Sequence, residues 1–423
     1  MKTKRYYLAP LLAVFLLQAG VTAALGAVSF QCPGFDPAAD SDTNGDGMLR
    51  ATDDEISNPL TPSQVCMHLT GGDGFVTMAD GKETYIFGFA NVTGLPDNQV
   101  LETGIFAANF PAPSIILREG DNFYLSLTNV GMMLRPDLFD AHSVHFHGFP
   151  NAAPVFDGLP DSAVAIVMGS TLTYYYQLAE PGTHMYHCHV EAAEHMQMGM
   201  LGNLYVQPAQ NRLPDNTDLN GFIHHTGYKY ALNDGDGSTY VDKEYPIQIG
   251  SFDPAFHDAS ESVQPLPFAA MKDKYAMLNG RGYPDTVNPD PLPAPVKNNG
   301  KVSQPVSTLI EAVAGEKVLL RISNLNVTRF YTMASPSIPM QVVGKDARLL
   351  RGADPDGNGP LLGQNLYYKT SSVTLGGGES VDVILDTAGI EPGTYFFYTT
   401  NLNYLTNNTE DFGGMMTEIL ITN

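Results

Sequence analysis

Short stretches in which apolar and polar residues alternate follow one another along most of the chain after residue 66. The segment SIILREGDNFYLSLTN, residues 114–129, is typical, with two alternating runs on either side of a Gly-Asp turn. Successive side chains of a strand point to opposite faces, so this pattern predicts strands with one buried face. Short strands separated by Gly, Pro and Asn turns are typical of β-sandwich domains. We therefore expect an all-β protein.

Two halves of the chain resemble each other, which predicts two copies of one domain. The segment EGDNFYLSLTN, residues 119–129, parallels AGEKVLLRISN, residues 314–324. The tetrapeptide Glu-Pro-Gly-Thr also occurs twice, and each copy is followed by an aromatic stretch and then by a Gly-Met step. We expect two Greek-key β-sandwich domains in tandem, at residues 67–208 and 222–423.

The N-terminus has the three parts of a secretory signal. Basic residues in the first five positions precede an apolar run at residues 6–17, and small residues follow. The apolar run is shorter than the roughly 18 residues that a membrane span needs. We therefore expect residues 1–26 to be a cleaved signal, the mature chain to have no membrane span, and the protein to be secreted or periplasmic.

Charge and cysteine content limit the partners and the compartment. Lys and Arg number 22 against 45 Asp and Glu, which gives a formal net charge of −23. This balance argues against nucleic acid and anionic membranes as partners, because both bind basic surfaces. Export to an oxidising space permits a disulfide. Cys32 and Cys66 are the expected pair, because both lie in the N-terminal segment, residues 27–66, away from Cys188.

A candidate calcium loop, DTNGDGMLRATD at residues 42–53, lies between these two cysteines. Its oxygen donors alternate along the chain, as they do in loops that wrap around one calcium ion. The candidate ligands are Asp42, Asn44, Asp46, Met48 through its main-chain carbonyl, and Asp53. The helices that flank such loops in EF-hands are not evident, so a solvated acidic linker fits the same residues.

Residues that bind metals concentrate in two motifs of the first half. These are HSVHFHG, residues 142–148, and HMYHCHVEAAEHMQMGM, residues 184–200, and they hold seven of the eleven histidines. The second half has no histidine after His257, and Tyr-Thr-Thr at residues 398–400 stands where the first half has His-Cys-His. Metal chemistry is therefore expected in the first domain.

Strand parity separates His142 and Cys188 from the neighbouring histidines, because alternate residues of an extended segment point to opposite faces. The first group, here the type 1 set, is completed by two residues of the loop that follows the cysteine and consists of His142, Cys188, His195 and Met200. The second group, here the four-histidine set, is His145, His147, His187 and His189. Two imidazoles and a thiolate with a weak thioether are the ligands of a blue, electron-transferring copper site, and imidazoles suit further redox metals. We expect electron transfer at the type 1 set and turnover at the four-histidine set.

The two motifs resemble the copper motifs of the multicopper oxidases, HxxHxHG and HCH followed by a histidine and Gly-Met. In the second half, NGRGYPDT, AGEKVLLRISN and MQVVGKD are similar to the copper-free cupredoxin domain of that family. The resemblance implies two cupredoxin-like domains with type 1 copper on the type 1 set. It also implies that the four-histidine set is this chain's share of the oxygen-reducing type 2/type 3 copper cluster. Electrons would come from a small-molecule, metal-ion or protein reductant and reach dioxygen.

Departures from the family pattern leave alternatives open. The oxygen-reducing cluster of the family uses eight histidines from two domains, whereas this chain offers four, so the second site holds one or two coppers or takes further ligands from a symmetry-related first domain. The step from Cys188 to His195 is also two residues longer than usual. The chain also resembles the trimeric copper nitrite reductases, in which His147 and His187 would hold the second copper and a homotrimer would form. However, the catalytic aspartate of those enzymes falls at His145. A non-enzymatic blue-copper carrier would need the type 1 set alone.

Overall fold

The computed structural model describes residues 27–33, 46–50, 64–149, 152–262, 265–352 and 363–423. The predicted signal at residues 1–26 lies outside the described residues. None of the helices in the described part of the chain has the length and apolar character needed to cross a bilayer.

The first domain is a sandwich of two sheets. Its strands are β1 (Leu49–Arg50), β2 (Gln64–Thr77), β3 (Glu83–Asn91), β4 (Ala112–Arg118), β5 (Asn122–Gly131), β6 (His145–His147), β7 (Thr171–Gln177), β8 (Gly182–His187) and β9 (Leu201–Gln207). Its helices are α1 (Asp97–Gly104) and α2 (Ala192–Met198), with a 3₁₀ turn at Pro154–Phe156. One sheet has the order β1-β2-β5-β7 with β3 also paired to β2, and the other has the order β4-β9-β8-β6. The apolar core of this domain includes Phe123, Leu125 and Leu204.

The second domain is a larger sandwich that follows two small hairpins. The hairpin strands are β10 (Asp218–Leu219), β11 (Phe222–Ile223), β12 (Lys229–Tyr230) and β13 (Tyr240–Val241). The sandwich strands are β14 (Lys243–Phe252), β15 (Tyr275–Leu278), β16 (Ile310–Val313), β17 (Lys317–Asn324), β18 (Tyr331–Ala334), β19 (Met340–Lys345), β20 (Arg348–Leu349), β21 (Tyr368–Thr370), β22 (Ser372–Leu375), β23 (Glu379–Asp386), β24 (Gly393–Thr399) and β25 (Met416–Thr422). Its α-helix is α3 (Pro254–Ser260), and 3₁₀ turns lie at Ala209–Arg212, Phe268–Ala270, Asp285–Val287, Val296–Asn298 and Leu402–Tyr404. The sheet orders are β15-β14-β17-β23-β19-β20, with β21 on β19, and β16-β25-β24-β18-β22.

The same strand pairing occurs in both sandwiches. In the first domain β2 runs parallel to β5 and β4 parallel to β9. In the second domain β14 runs parallel to β17 and β16 parallel to β25. The two matching segments form β5 and β17, and each Glu-Pro-Gly-Thr element leads into β8 or β24. Parallel neighbours need a crossover from sheet to sheet, as in Greek-key sandwiches, so the predicted pair of tandem sandwiches is confirmed.

The predicted bond between Cys32 and Cys66 is present, with their Cα atoms 5.7 Å apart. Cys66 lies in β2 and pairs with Leu49 of β1, so part of the predicted N-terminal segment belongs to the first sandwich. The main-chain N–H of Gln31 donates to Ser126 Oγ at 3.3 Å. The segment at residues 27–33 is therefore held against the first sheet by both covalent and hydrogen bonds.

Two of the five candidate calcium ligands lie among the described residues. Asp46 accepts hydrogen bonds from Arg50 at 2.6 Å and from the main-chain N–H of Met48 at 3.0 Å, and the Met48 side chain is buried in the core. The other three, Asp42, Asn44 and Asp53, lie outside the described residues. The calcium loop therefore stays a prediction.

The buried side chain of Arg321 takes part in a hydrogen-bond network that connects the second domain to β8 of the first. Arg321 of β17 donates to Glu244 at 2.9 Å and to Asp382 at 3.2 Å. Asp382 also accepts from the Thr183 hydroxyl of β8 at 2.5 Å, and Ser380 donates to the Thr183 carbonyl at 2.7 Å. Removal of one partner from a buried ion pair is strongly destabilising, since the other charge is left uncompensated. This network therefore fixes β8, the strand that leads into the His-Cys-His motif, against the second domain.

The disulfide is expected to contribute measurably to the stability of the first sandwich. Replacing Cys32 with Ala should lower the free energy of unfolding by about 3–4 kcal/mol, because the unfolded chain regains the entropy that closing a loop over a sequence separation of 34 residues removes. Urea unfolding under oxidising conditions measures the difference. Added reductant should destabilise the wild type and leave the variant unchanged. Equal stability of the two proteins would contradict the expectation.

Candidate metal centre

Three separate segments bring the type 1 set together. His142 exchanges two main-chain hydrogen bonds with Ile166, at 3.0 and 2.8 Å, Cys188 follows β8, and His195 lies in α2. One ligand atom from each of these three residues lies within 4.8 Å of the others, and all three side chains are buried. His195 Nδ1 is 3.1 Å from Cys188 Sγ. The thiol thus faces two imidazoles inside the first domain.

The loop from Cys188 to Met200 closes on itself through the main chain. The N–H of Cys188 donates to the carbonyl of Met200 at 3.0 Å, and the N–H of Met200 donates to the carbonyl of His195 at 2.8 Å. Gly199 has φ +116°, a conformation that glycine adopts without strain, and it ends α2. Met200 is fully buried. This closure places all four members of the type 1 set in one buried region.

Polar atoms of the type 1 set are left without hydrogen bonds inside the described structure. Both ring nitrogens of His142 and Nε2 of His195 are buried and have no partner there. Burial lowers the pKa of His142 well below 6.5 and that of His195 to about 3, so both imidazoles are neutral at pH 7. Burial also raises the pKa of Cys188 to about 12. Neutral imidazole is the metal-binding form, and orphaned buried groups cost about 1–3 kcal/mol each. Two imidazoles, a thiol and a thioether fit copper.

The four-histidine set lies at the β6–β8 pair and the turn that follows it. His145 and His187 are directly opposite each other across the two strands. His147 Nε2 lies 3.1 Å from His187 Nε2, and the ring of His189 is 5.1 Å from that of His145. Ligand atoms of the first three lie within 4.8 Å of one another. The structure therefore places all four imidazoles together, with His189 at the side of the group.

Hydrogen bonds to main-chain carbonyls orient two of these rings. His145 Nδ1 donates to the Asp157 carbonyl at 2.6 Å, and His187 Nδ1 donates to the Cys188 carbonyl at 2.8 Å. A carbonyl only accepts, so the proton is on Nδ1 and the lone pair is on Nε2 in the neutral rings. Burial lowers the pKa of His147 to about 4 and that of His187 to about 3. Nitrogen lone pairs that converge in this way fit a metal ion.

The second domain forms the opposite wall of a cleft over these histidines. The cleft has a volume of about 580 Å³ and is lined by His147, His187 and His189 on one side. Residues 325–330 and 377–378 line the other side. A Cβ built on Gly378 would lie 3.2 Å from His147 Cε1, so the two domains are in close contact here.

One chain supplies four of the eight histidines in the cluster that the resemblance implies. All eleven histidines lie among the described residues. The wall that the second domain presents to the cleft, at residues 325–330 and 377–378, contributes neither histidine nor cysteine. The four-histidine set is therefore the whole imidazole donor set at the cleft.

Sequence reasoning missed a group of carboxylates beside His195. Asp140 Oδ2 lies 4.0 Å from His195 Nε2, and Asp140, Glu191 and His195 could together hold a metal ion. Burial raises the pKa of Asp140 to about 6 and that of the neighbouring Glu194 to about 7. These residues form no spacing motif. The one available signal was that all three lie within a few residues of the predicted ligands.

The remaining five histidines belong to neither candidate ligand set. His184 is buried beside Phe149 and donates from Nε2 to the Glu180 carbonyl at 3.3 Å. His68 is buried and bonds Thr128 at 2.7 Å. The other three, His224, His225 and His257, lie after the first sandwich.

Comparisons with known proteins agree with this geometry. Residues 90–211 match the family described as "Multicopper oxidase". Laccase abr2 of Aspergillus fumigatus is 35% identical to this chain over 122 residues. The aligned segment covers 28% of this chain and 19% of the laccase. The copper-containing nitrite reductase of Neisseria meningitidis serogroup B is 25% identical to this chain over 179 residues. That aligned segment covers 41% of this chain and 37% of the reductase. The chain thus spans about a fifth of the laccase and somewhat more than a third of the reductase.

The fold is shared more widely than the sequence. The blue copper oxidase of Nitrosomonas europaea superposes with a TM-score of 0.59 at 22% identity, covering 84% of this chain and 85% of the other. The match to the family includes β4 to β9, and with them both sets of candidate ligands. Residues 90–211 are therefore similar to a multicopper oxidase domain, within a fold of two tandem cupredoxin-like sandwiches.

Proposed function

We propose that this protein is an exported copper oxidoreductase of the multicopper-oxidase type. Electrons from an external reductant enter at the type 1 set, and dioxygen bound in the cleft accepts them at the four-histidine set. The single observation that supports this most strongly is the placement of the two sets around one tripeptide, His187 to His189. The family match of residues 90–211 and the donor chemistry of both sets support the same proposal.

Copper bound at the two sets would supply one-electron oxidation and reduction. The chain's own residues determine where this happens. The type 1 set is buried among apolar side chains, and Phe87 packs edge-on against the His195 ring at 5.6 Å. Such packing excludes water and holds the ligands in place during electron transfer, so that little reorganisation accompanies it. The main-chain N–H of Ser143 donates to Cys188 Sγ at 3.5 Å, which favours the thiolate.

The covalent path between the two sets is short. Cys188 is joined by peptide bonds to His187 and His189, whose rings belong to the four-histidine set. The His187 Nδ1 bond to the Cys188 carbonyl, at 2.8 Å, adds a second connection between them. A through-bond route of this kind lets an electron leave the type 1 set toward the cleft without crossing solvent.

The cleft is the proposed binding site for the acceptor. The cleft has a volume of about 580 Å³, which accommodates a small molecule, and His147, His187 and His189 form one of its walls. Four imidazoles provide ligands for one or two copper ions, and the eight-histidine cluster is not part of this proposal. His145 occupies the position at which the nitrite reductase resemblance requires an aspartate. Dioxygen is therefore the proposed acceptor, with nitrite as an outcome of the test below.

The location of the protein is part of the proposal. The bond between Cys32 and Cys66 is typical of proteins that fold in an oxidising compartment. Together with the signal pattern in residues 1–26, it supports a secreted or periplasmic protein. The formal charge of −23 suits a soluble partner or a small cationic reductant.

Replacement of Cys188 by Ser should separate the two sets spectroscopically. The copper-loaded wild type is expected to be blue, because a copper–thiolate bond gives an intense visible band. The variant should lose this band and retain copper at the four-histidine set. Visible spectra and metal analysis measure both effects, and Cys32→Ser is a control that keeps the band. A colourless oxidised wild type would contradict the type 1 assignment.

Loss of one member of the four-histidine set should block turnover and leave the blue band unchanged. His145→Ala or His189→Ala keeps every member of the type 1 set, so the blue band should persist and remain reducible. Its recovery under air should slow by at least about tenfold, on the scale seen when metal-site contacts are removed. Stopped-flow absorbance measures the recovery, with the exposed His225→Ala as control. Recovery of the wild type under nitrite but not air supports the reductase, and recovery under neither supports a carrier.

Gly71 is expected to control the space around the type 1 set. A Cβ at this position would lie 2.8 Å from His142 Cδ2 and 3.4 Å from Met200 Cε. Gly71→Ala should therefore displace His142, shift the blue band and destabilise the protein by about 1–3 kcal/mol, as overpacking does. Gly393→Ala is the matched control, because its nearest neighbour would be 3.9 Å away. An unchanged band in Gly71→Ala with bound copper would contradict this role.

A further inference from the structure

One histidine of the second domain reaches into the first domain. His257 lies in α3 and is fully buried. Its Nδ1 is 2.6 Å from the carbonyl oxygen of Tyr85, and its Nε2 is 3.0 Å from the carbonyl oxygen of Gln197. The Phe252 ring packs against it with 4.3 Å between ring centroids. Both ring nitrogens of this side chain therefore point at main-chain acceptors of the other domain.

The two carbonyls belong to the segments that hold His195. Gln197 lies in α2, two residues after His195 and three before Met200. Tyr85 lies in β3, and Phe87 of the same strand packs edge-on against the His195 ring at 5.6 Å. His257 thus bridges the helix that carries one candidate copper ligand and the strand that packs on that ligand.

The carbonyl of Gln197 needs a partner from outside its helix. The last carbonyls of a helix have no intrahelical donor. In α2 the carbonyl of His195 accepts from Met200, and that of Met196 accepts from Gly199. Nε2 of His257 lies 3.0 Å from the carbonyl oxygen of Gln197 and donates to it in the tautomer that carries the proton on Nε2. The second domain therefore completes the end of the ligand helix.

A second contact holds the same residue by its side chain. Gln197 Nε2 donates to Asp273 Oδ1 at 3.2 Å. Asp273 is itself fixed, because Ser251 donates to it at 2.7 Å and the Thr328 hydroxyl also bonds to it. Main chain and side chain of Gln197 are thus both anchored in the second domain. Thr328 lines the cleft, so the same network reaches the cleft wall formed by the second domain.

We propose that His257 is a positioning residue for the type 1 set, acting with Asp273 through Gln197. The second domain, which supplies no candidate copper ligand, sets the position of α2 and thereby of His195 and Met200. This inference rests on the proposed function for its effect on copper. The effect on α2 itself is a property of the metal-free chain.

The test compares His257→Phe, which keeps a ring against Phe252 and removes both ring nitrogens, with a matched control. Asn298 of the second domain is also fully buried and makes two hydrogen bonds to a first-domain main chain, to Phe75 N at 2.8 Å and Phe75 O at 2.7 Å. Asn298→Ala therefore loses two interdomain bonds that do not involve α2. His257→Gln, whose amide can still donate to one carbonyl, is the conservative variant and decides the question if His257→Phe does not fold.

Three measurements distinguish positioning from general stability. Urea unfolding should show a loss of stability in both His257→Phe and Asn298→Ala. Amide hydrogen exchange of the metal-free proteins should be at least about tenfold faster in α2 for His257→Phe and unchanged there for Asn298→Ala. In the copper-loaded proteins the blue band and the reduction potential should shift in His257→Phe, shift less in His257→Gln, and stay constant in Asn298→Ala.

The outcomes separate this inference from the proposed function. Equal exchange in α2 for His257→Phe and Asn298→Ala would overturn the positioning role, whatever the copper chemistry. An unchanged band and potential in His257→Phe would overturn it as well. If the wild type shows no blue band, the proposed function fails, and the exchange data on the metal-free chain still decide whether His257 positions α2.

Discussion

The placement of one tripeptide underlies the whole site. His187 ends β8, and Cys188 and His189 follow it. The Cys188 thiol lies with His142 and His195, whereas the rings of His187 and His189 lie with that of His145. The thiol enters the buried interior of the first sandwich, where His142 and His195 meet it. The imidazoles of His187 and His189 line the interdomain cleft together with His147, and His145 packs beside them. Two chemically different metal-binding groups are therefore separated by a few covalent bonds, and the remaining structure serves to keep this tripeptide in place.

The second domain provides much of that support although it contributes no candidate ligand. Arg321 donates to Asp382, and Asp382 accepts from Thr183 of β8, the strand that leads into the tripeptide. His257 and Asp273 hold Gln197 in the loop that returns to the site after it. These contacts are buried and polar, so each depends on its partner to offset the cost of desolvation. The copper-free copy of the fold is thus a frame for the copper-binding copy.

The same domain also limits the chemistry. Its loops close the cleft over the four-histidine set and bring no further imidazole to it. One chain therefore offers four imidazoles in this region, half the number in the cluster that the resemblance implies.

The sequence alone determined the fold class, the internal repeat, the disulfide and the division of the histidines into two sets. Each of these follows from local regularities, such as alternating polarity, repeated turns and the two-residue period of a strand. Only the tertiary structure showed that Asp140 and Glu191 lie beside His195, that Gly378 closes on His147, and that His257 reaches Gln197. Apart from the contact of Glu191 with His195, these contacts join segments that are distant along the chain, so their proximity depends on how the strands cross over and how the two sandwiches pack.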